Sequence, residues 1–278
     1  MMRTAKRYKL LVYLLLLCGI VITSTPMLYL VSTSLRPNGS LYEYPPKLWP
    51  NRITLENYHY VLFKVDFYRS FLNSLFVALT TVVLSALIAS SLAFCLARFD
   101  FPGKKLLFAA IMATMIIPGM TLIIPQFELA VTLRLVNKLG GLIPFYTAWV
   151  LPFSTFMIKG YIEGIPVDFD EAIYMDGGNA FTVYRTIILP LASPAIAAVS
   201  IFNFLTAWEE YPWALTVLND LEKRTLPITI SGFFGQHNFT LWGYVFAMSV
   251  ISLLPVIICF LFFQKYFVSG LSSGGINH

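Results

Sequence analysis

Charge is what this 278-residue chain has least of: Asp, Glu, Lys and Arg together make up 12% of it. That is about half the share of an ordinary soluble domain. It also has only three histidines and three cysteines. Cys18, Cys95 and Cys259 are spaced for neither a disulfide framework nor a metal site, and each reads as a small buried hydrophobe in an apolar run. No GxxxxGK[ST] phosphate loop occurs; Phe101-Pro102-Gly103-Lys104-Lys105 lacks both the upstream glycine and the hydroxyl. HExxH and CxxC are missing as well. The one GxSxG, from Gly270 to Gly274, stands in a short tail without the strand and helix that a nucleophile elbow requires. The expectation is a chain that catalyses nothing itself, binds no cofactor or metal, and has no nucleic-acid partner.

Apolar residues are what it has in abundance. They make up 58% of the chain and gather into runs of about 20 residues, long enough to cross a bilayer as helix. Six spans are expected at about 10–32, 71–97, 106–126, 141–158, 192–213 and 242–264. Lipid offers no partner for unpaired backbone groups, so each must be helical, and the alternating pattern of a membrane β-barrel is missing. The fold class is therefore an all-α membrane protein, with residues 1–278 forming one transmembrane domain and about 71–264 its five-helix core.

The basic start, Arg3, Lys6, Arg7 and Lys9, followed by an apolar run, has the outline of a signal peptide. The run continues to about Ser32, too long for an h-region, and the bulky Leu17 before Cys18 counts against a lipoprotein cleavage site. An uncleaved first span is expected. Only Arg36 follows it closely, so the positive-inside rule puts both termini in the cytoplasm. The spans hold almost no ionisable groups: Glu209 and Glu210 near the outer end of the fifth, Lys9 and Lys159 at inner edges, and none of His59, His237 or His278. Proton-coupled carriers generally need such groups within the membrane, which weakens that class while leaving sodium coupling through backbone carbonyls open.

One polar segment interrupts this pattern. Asp168 is placed to cap a helix with Glu171 three residues on, as in a capping box; the helix should run from Phe169 to Asp176 and stop at Gly177-Gly178. Asn179 can cap a second helix with an apolar face of Phe181, Tyr184, Ile187, Ile188 and Leu191, which Pro190 disturbs on its way to the fifth span. Ala172 and Gly177 keep the surface low enough for another protein to approach closely.

Glu171-Ala172-Ile173-Tyr174-Met175-Asp176-Gly177, followed by Ile187-Ile188-Leu189-Pro190, resembles the EAA motif of bacterial ABC importer permeases, EAAxxDG then IxLP. The resemblance implies a cytoplasmic coupling helix, within about 165–191 and between spans four and five, that inserts into a cleft on an ATP-hydrolysing subunit. It assigns that coupling to Glu171, Ala172, Asp176, Gly177, Gly178, Ile187, Leu189 and Pro190. Alanine is usual where this chain has Ile173 and Gly178. Leu96 to Lys105, Trp208-Glu209-Glu210-Tyr211-Pro212-Trp213 and Gln264 to Leu271 are similar to further elements of carbohydrate permeases of the maltose type, on the side of the second permease. In the tryptophan element Glu209 replaces the usual Asn and Pro212 the usual Leu.

By the same resemblance the partners are a second homologous permease, two ATPase subunits that use ATP and magnesium, an extracytoplasmic sugar-binding protein and the bilayer of a bacterial cell membrane. Pro118 and Pro125 bend the third span, as packing devices or as part of a flexing pore-lining helix. Trp208, Glu209 and Glu210 combine an aromatic plate with hydrogen-bonding groups and are candidates for a sugar pathway, although tryptophan also serves as an interfacial anchor. Outside, Tyr44 to Pro50 reads as an extended stretch, Thr54 to Tyr58 opens a short amphipathic helix, and 219–240 is either a docking loop for the binding protein or a disordered one. The expected function is sugar or oligosaccharide import as a permease subunit; the alternatives are a self-sufficient secondary carrier or channel for a small polar solute, and a non-transporting scaffold.

Overall fold

The computed structural model describes residues 2–37, 49–234 and 240–273, with side chains described at 9, 12–37, 49–234 and 240–262. Every regular element among the described residues is helical. They are α1 (Met2–Ser34), α2 (Glu56–Phe63), α3 (Phe67–Arg98), α4 (Lys104–Ala113), α5 (Ile123–Thr132), α6 (Leu142–Glu163), α7 (Asp168–Met175), α8 (Ala180–Val183), α9 (Leu189–Leu191), α10 (Ser193–Glu209), α11 (Pro212–Val217), α12 (Leu226–Ser231) and α13 (Trp242–Ser273). Four helices are long and apolar enough to cross a membrane: Val12–Ser34, Phe67–Arg98, Leu139–Glu163 and Trp242–Phe262. Two bent pairs bring the number to six if each counts as one span.

The first bent pair corrects the reading of 106–126 as one kinked span. Lys104–Ile116 and Gly119–Thr132 meet at 97°. Ile117 and Pro118 between them are extended, at ψ 120° and 123°. A residue before proline is pushed out of the helical region, and proline itself offers no N–H, so the break falls there. Pro125 lies within the first turn of α5, where its missing N–H has no helical acceptor, and the helix tolerates it. The second pair, Ala180–Leu191 and Ser193–Glu209, is bent by 73°. The fifth span also ends earlier than 213, because Glu210 turns extended before Pro212 opens α11.

The chain divides into two compact units. In the one comprising Met1–Tyr68 and Thr229–Leu254, Asn57 of α2 closes the end of α1 by donating to the Ser34 and Arg36 carbonyls at 2.8 and 2.7 Å. The short amphipathic helix expected after Thr54 is thus present, and Tyr60 stacks on Tyr244 at 4.1 Å. In the unit comprising Arg69–Ile228 and Pro255–His278, α6 packs on α10 and α4. There the amide of Asn203 donates to Ser85 Oγ at 2.9 Å and Ser154 Oγ at 3.0 Å, all three side chains buried. This knits α3, α6 and α10 with hydrogen bonds where lipid-like surroundings give helices no hydrophobic reason to associate.

The cysteines depart from expectation. Cys18 and Cys95 are exposed on the chain's surface and Cys259 is half-exposed. An apolar surface that lipid or a partner subunit covers needs no burial within its own chain, so small hydrophobes there stay outside the core.

Candidate coupling segment and membrane cavity

α7 forms over Asp168–Met175, one residue earlier than its sequence suggested, and without the capping box. Val167 is the cap residue and already has helical backbone angles; its carbonyl accepts from Asp170 N at 2.8 Å and Glu171 N at 3.1 Å. With the turn closed by backbone, Asp168 makes no capping bond. Asp168, Asp170 and Glu171 in the first turn still complement the positive end of the helix dipole.

The end of α7 follows the expected glycine break closely. Gly177 has φ +80°, and its N–H reaches the Tyr174 carbonyl at 3.0 Å while that of Gly178 reaches the Ile173 carbonyl at 2.9 Å. These two bonds are the Schellman closure. Gly178 is held for a different reason: a Cβ there would sit 2.5 Å from Ile173 Cγ2 and 2.9 Å from the Ile173 carbonyl oxygen. Asn179 then caps the next helix, accepting from Thr182 N at 3.0 Å.

The predicted apolar face of that helix is partly wrong. Val183, Ile188 and Ala192 are buried, with Tyr184 and Ile187 beside them, whereas Phe181 and Leu191 are exposed. At Leu191 the cause is one π turn over Tyr184–Ile188, where Leu189 N bonds to the Tyr184 carbonyl five residues back; Phe181 lies ahead of that turn, and Val183 takes the buried place there. The π turn stands immediately before Pro190, which has no N–H to give to an ordinary helical ladder. The extra residue rotates everything after it, and an α-helical periodicity read through it loses register.

Two faces of the segment have opposite characters. Inward, Ile173, Val183, Tyr184, Ile187 and Ile188 pack with Ala89, Ala93 and Phe94 of α3 and Ile158 and Ile162 of α6. Arg98 Nε lies 2.7 Å from Asp170 Oδ2, both side chains under 10% exposed at 8% and 7%, and Arg98 Nη2 donates to the Ile165 carbonyl at 2.9 Å. Removing one member of such a buried pair costs about 3–5 kcal/mol, because the other charge is left without compensation. Tyr184 hydroxyl shares a 2.7 Å hydrogen bond with Ser90 Oγ. Outward, Phe169, Glu171, Ala172, Tyr174, Met175 and Asp176 are exposed, Met175 at 87%. Neither the Glu171 nor the Asp176 carboxylate has an intrachain partner among the described residues. Ile187 is half-buried against the bundle, Leu189 is half-buried and Pro190 is exposed, and the last two continue the chain into the bend.

The candidates at the end of α10 separate. Trp208 is 4% exposed, stacked on Phe204 at 5.5 Å and edge-on to Phe71 at 5.4 Å. Glu209 is exposed. Glu210 accepts from Trp213 N at 2.7 Å, Ala214 N at 2.9 Å and the Tyr146 hydroxyl at 2.5 Å. It therefore fixes the start of α11 against α6. Beside it is a cavity of about 290 Å³ lined by Gly119, Met120, Ile123, Gln126, Trp149, Glu210, Pro212 and Trp213. The structure thus brings Glu210 to the broken third span, with Gly119 next to Pro118 and Gln126 next to Pro125, and leaves Trp208 in the packing. Trp149 and Trp213, edge to face at 6.3 Å, stand there instead. Trp213 closes the same tryptophan-rich element that contains Trp208, so a signal for it was present; Trp149 and Gln126 carried none.

Much of the loop after α11 is ordered. Asn137 Oδ1 accepts from Asn219 N and Asp220 N at 3.1 Å, Asn73 donates to the Glu222 and Arg224 carbonyls at 3.0 Å, and Ser74 Oγ accepts from Leu226 N at 2.7 Å. Lys223 hydrogen-bonds Asp220 at 2.7 Å, which holds that carboxyl below its ordinary pKa. Gly235 and Gln236, like Tyr44 to Leu48 and Gly274, lie outside the described residues, as do the side chains of Gln264 to Leu271.

The architecture and the segment have counterparts in known proteins. The family model for "Binding-protein-dependent transport system inner membrane component" matches residues 81–273. The arabinooligosaccharides transport system permease protein AraQ of Halalkalibacterium halodurans is 33% identical over 255 residues, covering 91% of this chain and 90% of the relative. The trehalose/maltose transport system permease protein MalG of Thermococcus litoralis is 32% identical over 277 residues, covering 98% and 99%. A chain from the crystal structure of a bacterial ABC transporter involved in the import of the acidic polysaccharide alginate superimposes with a TM-score of 0.82 at 26% identity, over 95% of this chain and 98% of that one. With its family match over most of its length, its bent spans and its ordered segment between them, this chain belongs to the binding-protein-dependent transport system inner membrane component family.

Proposed function

We propose that this chain is the permease subunit of a bacterial ABC importer for a sugar or oligosaccharide, working as one transmembrane domain with both termini in the cytoplasm. It pairs with a second, homologous permease of the maltose type, two ATPase subunits that use ATP and magnesium, and an extracytoplasmic sugar-binding protein. The observation that carries this reading is the division of labour in α7: one face is locked into the bundle, while the other presents apolar side chains and two carboxylates to the outside. Such a face fits a cleft on an ATPase. Glu171 or Asp176, meeting a basic group there, would contribute about 1.5–3 kcal/mol through a charge-assisted hydrogen bond. Gly177 and Gly178 let the chain reverse directly after the docked turn, and Ile187, Leu189 and Pro190 carry its movement into the bend before α10.

The cavity beside Glu210 is assigned to the wall of the sugar route, where half-buried Trp149 supplies aromatic surface backed by the buried Trp213, and Gln126 an amide. Pro118 keeps the third span broken so that its second half forms that wall. The scarcity of ionisable groups in the spans, where Glu128 and Arg185 are exposed on the chain's surface, also favours energy supplied by another subunit over a self-sufficient carrier. Gentle solubilisation of the tagged chain from its native membranes tests the proposal. An ATPase and a second permease should come with it, in a complex whose ATP hydrolysis is vanadate-sensitive. A chain that is isolated alone and moves solute in liposomes without ATP would replace this reading with the carrier.

A further inference from the structure

A segment that receives a push from outside must be braced against something inside, and three of the contacts described above fall on one line. Ser90, Phe94 and Arg98 follow one another at i, i+4 and i+8 along the last turns of α3 and form a single stripe of that helix. Ser90 Oγ holds the Tyr184 hydroxyl at 2.7 Å, the Phe94 ring packs on the Tyr184 ring at 5.4 Å, and Arg98 holds Asp170 at 2.7 Å. The stripe therefore grips α7 from the front and the helix after it from the back, on both sides of the Gly177-Gly178 break. Arg98 also holds the Ile165 carbonyl at 2.9 Å, at the end of the turn between α6 and α7.

We infer that Arg98 and Asp170 are positioning residues of the coupling mechanism, which make α3 the member of the bundle that moves with the docking helix as one rigid piece. This rests on the docking reading of α7. The chemistry is specific. Asp170 is next to Glu171 in sequence, yet points inward and is spent on Arg98, so the two neighbouring carboxylates have opposite duties. Nη2 of Arg98 donates to the Ile165 carbonyl in a fixed direction, while its charge is buried against the Asp170 carboxylate, which Nε approaches without hydrogen-bond alignment; neither charge can leave the other without being stranded, whereas apolar contacts allow sliding. The ion pair adds resistance to separation to a contact that Phe94, Ile173 and Tyr184 already make tight.

The test is a distance measured in the complete importer, in a background with Cys18, Cys95 and Cys259 replaced by serine. Spin labels are placed at Met175→Cys on α7 and Asp100→Cys just beyond α3. Their separation is read without nucleotide and after trapping with ATP and vanadate. The expected result is one narrow distance, the same in both states. Asp170→Asn and Arg98→Gln should broaden it severalfold and make it differ between the states. If these variants fail to assemble, the paired variant Arg98→Met with Asp170→Leu, which leaves no buried charge unpaired, keeps the question answerable. It should assemble and melt like the parent, yet show the same broadening. A paired variant with the parent's narrow distance in both states would reduce the ion pair to packing and overturn the inference, as would a parent distance that itself changes on trapping. An unlabelled parent complex from which the ATPases are missing would instead overturn the docking reading beneath it.

Discussion

Replacing Gly178 with alanine is a sharper probe of the coupling segment than its small size suggests. The added Cβ would lie 2.5 Å from Ile173 Cγ2, 2.9 Å from the Ile173 carbonyl oxygen and 3.4 Å from Thr182 Cβ. Carbon atoms pack at about 3.5–4.0 Å, so roughly 1 Å must be cleared on the Ile173 side. The side chain can turn; the carbonyl cannot, because it accepts the Gly178 N–H that closes α7. Overpacking of this kind costs about 1–3 kcal/mol. Ile173→Ala alone loses part of a half-buried side chain, about 1–2 kcal/mol. Together the two changes remove the side-chain part of the clash and leave only the contact with the residue 173 carbonyl, and they restore the two alanines usual in the motif that the segment resembles. The double variant should therefore be about 1–2 kcal/mol better than the sum of the singles, a coupling within the range expected of touching residues. Thermal melts in detergent, with amide exchange over 168–178, give the three differences. Additive effects, or a silent Gly178→Ala, would refute the steric argument.

Gly177 is open to a Cβ but has φ +80°, so Gly177→Ala should cost about 1–2 kcal/mol of backbone strain, read from the same melts. Gly177→Asp should leave the bundle folded while ATP-dependent uptake is lost; unchanged uptake would remove this turn from coupling. Trp208→Ala, which empties a buried site between Phe71 and Phe204, should lower stability by about 3–5 kcal/mol. Trp149→Ala, at the cavity, should instead change the KM for sugar uptake, with a smaller fall in melting temperature than Trp208→Ala, since Trp149 is only half-buried against Tyr146 and Trp213. Asn203→Leu removes the three buried hydrogen bonds that join it to Ser85 and Ser154, at about 0.6 kcal/mol each, so the melting temperature should fall by a few degrees.

The helices were legible because long apolar runs in a charge-poor chain have little choice but to be helical. The glycine break and the Asn179 cap were legible because they depend on residues within one turn of each other. Three features were not. Asp168 has the right residue type for a cap, but Val167 closes the turn through its carbonyl, and the sequence does not display which of two adjacent residues starts a helix. The buried face after Asn179 was misread at Leu191, because the π turn before Pro190 adds a residue to the repeat on which the reading depended, and at Phe181, which stands in the first turn ahead of it, where Val183 takes the buried place instead. Arg98 and Asp170 meet only after the chain has passed through α4, α5 and α6, and local patterns hold no trace of such a pair. Trp208 shows the same limit from the other side: an exposed plate and a buried one have the same letter.

Coupling through this segment requires that the outer face of α7 meet an ATPase in the cytoplasm. Met175, the most exposed of its apolar side chains at 87%, is the place to ask. With Cys18, Cys95 and Cys259 replaced by serine, Met175→Cys should crosslink through a short bifunctional thiol reagent to one partner in native membranes, and mass spectrometry identifies that partner. The expected partner is an ATP-binding subunit, with a yield that changes on addition of ATP and vanadate. Rapid labelling of the introduced thiol by a membrane-impermeant reagent added outside intact cells, with no crosslink to any ATP-binding protein, would contradict it.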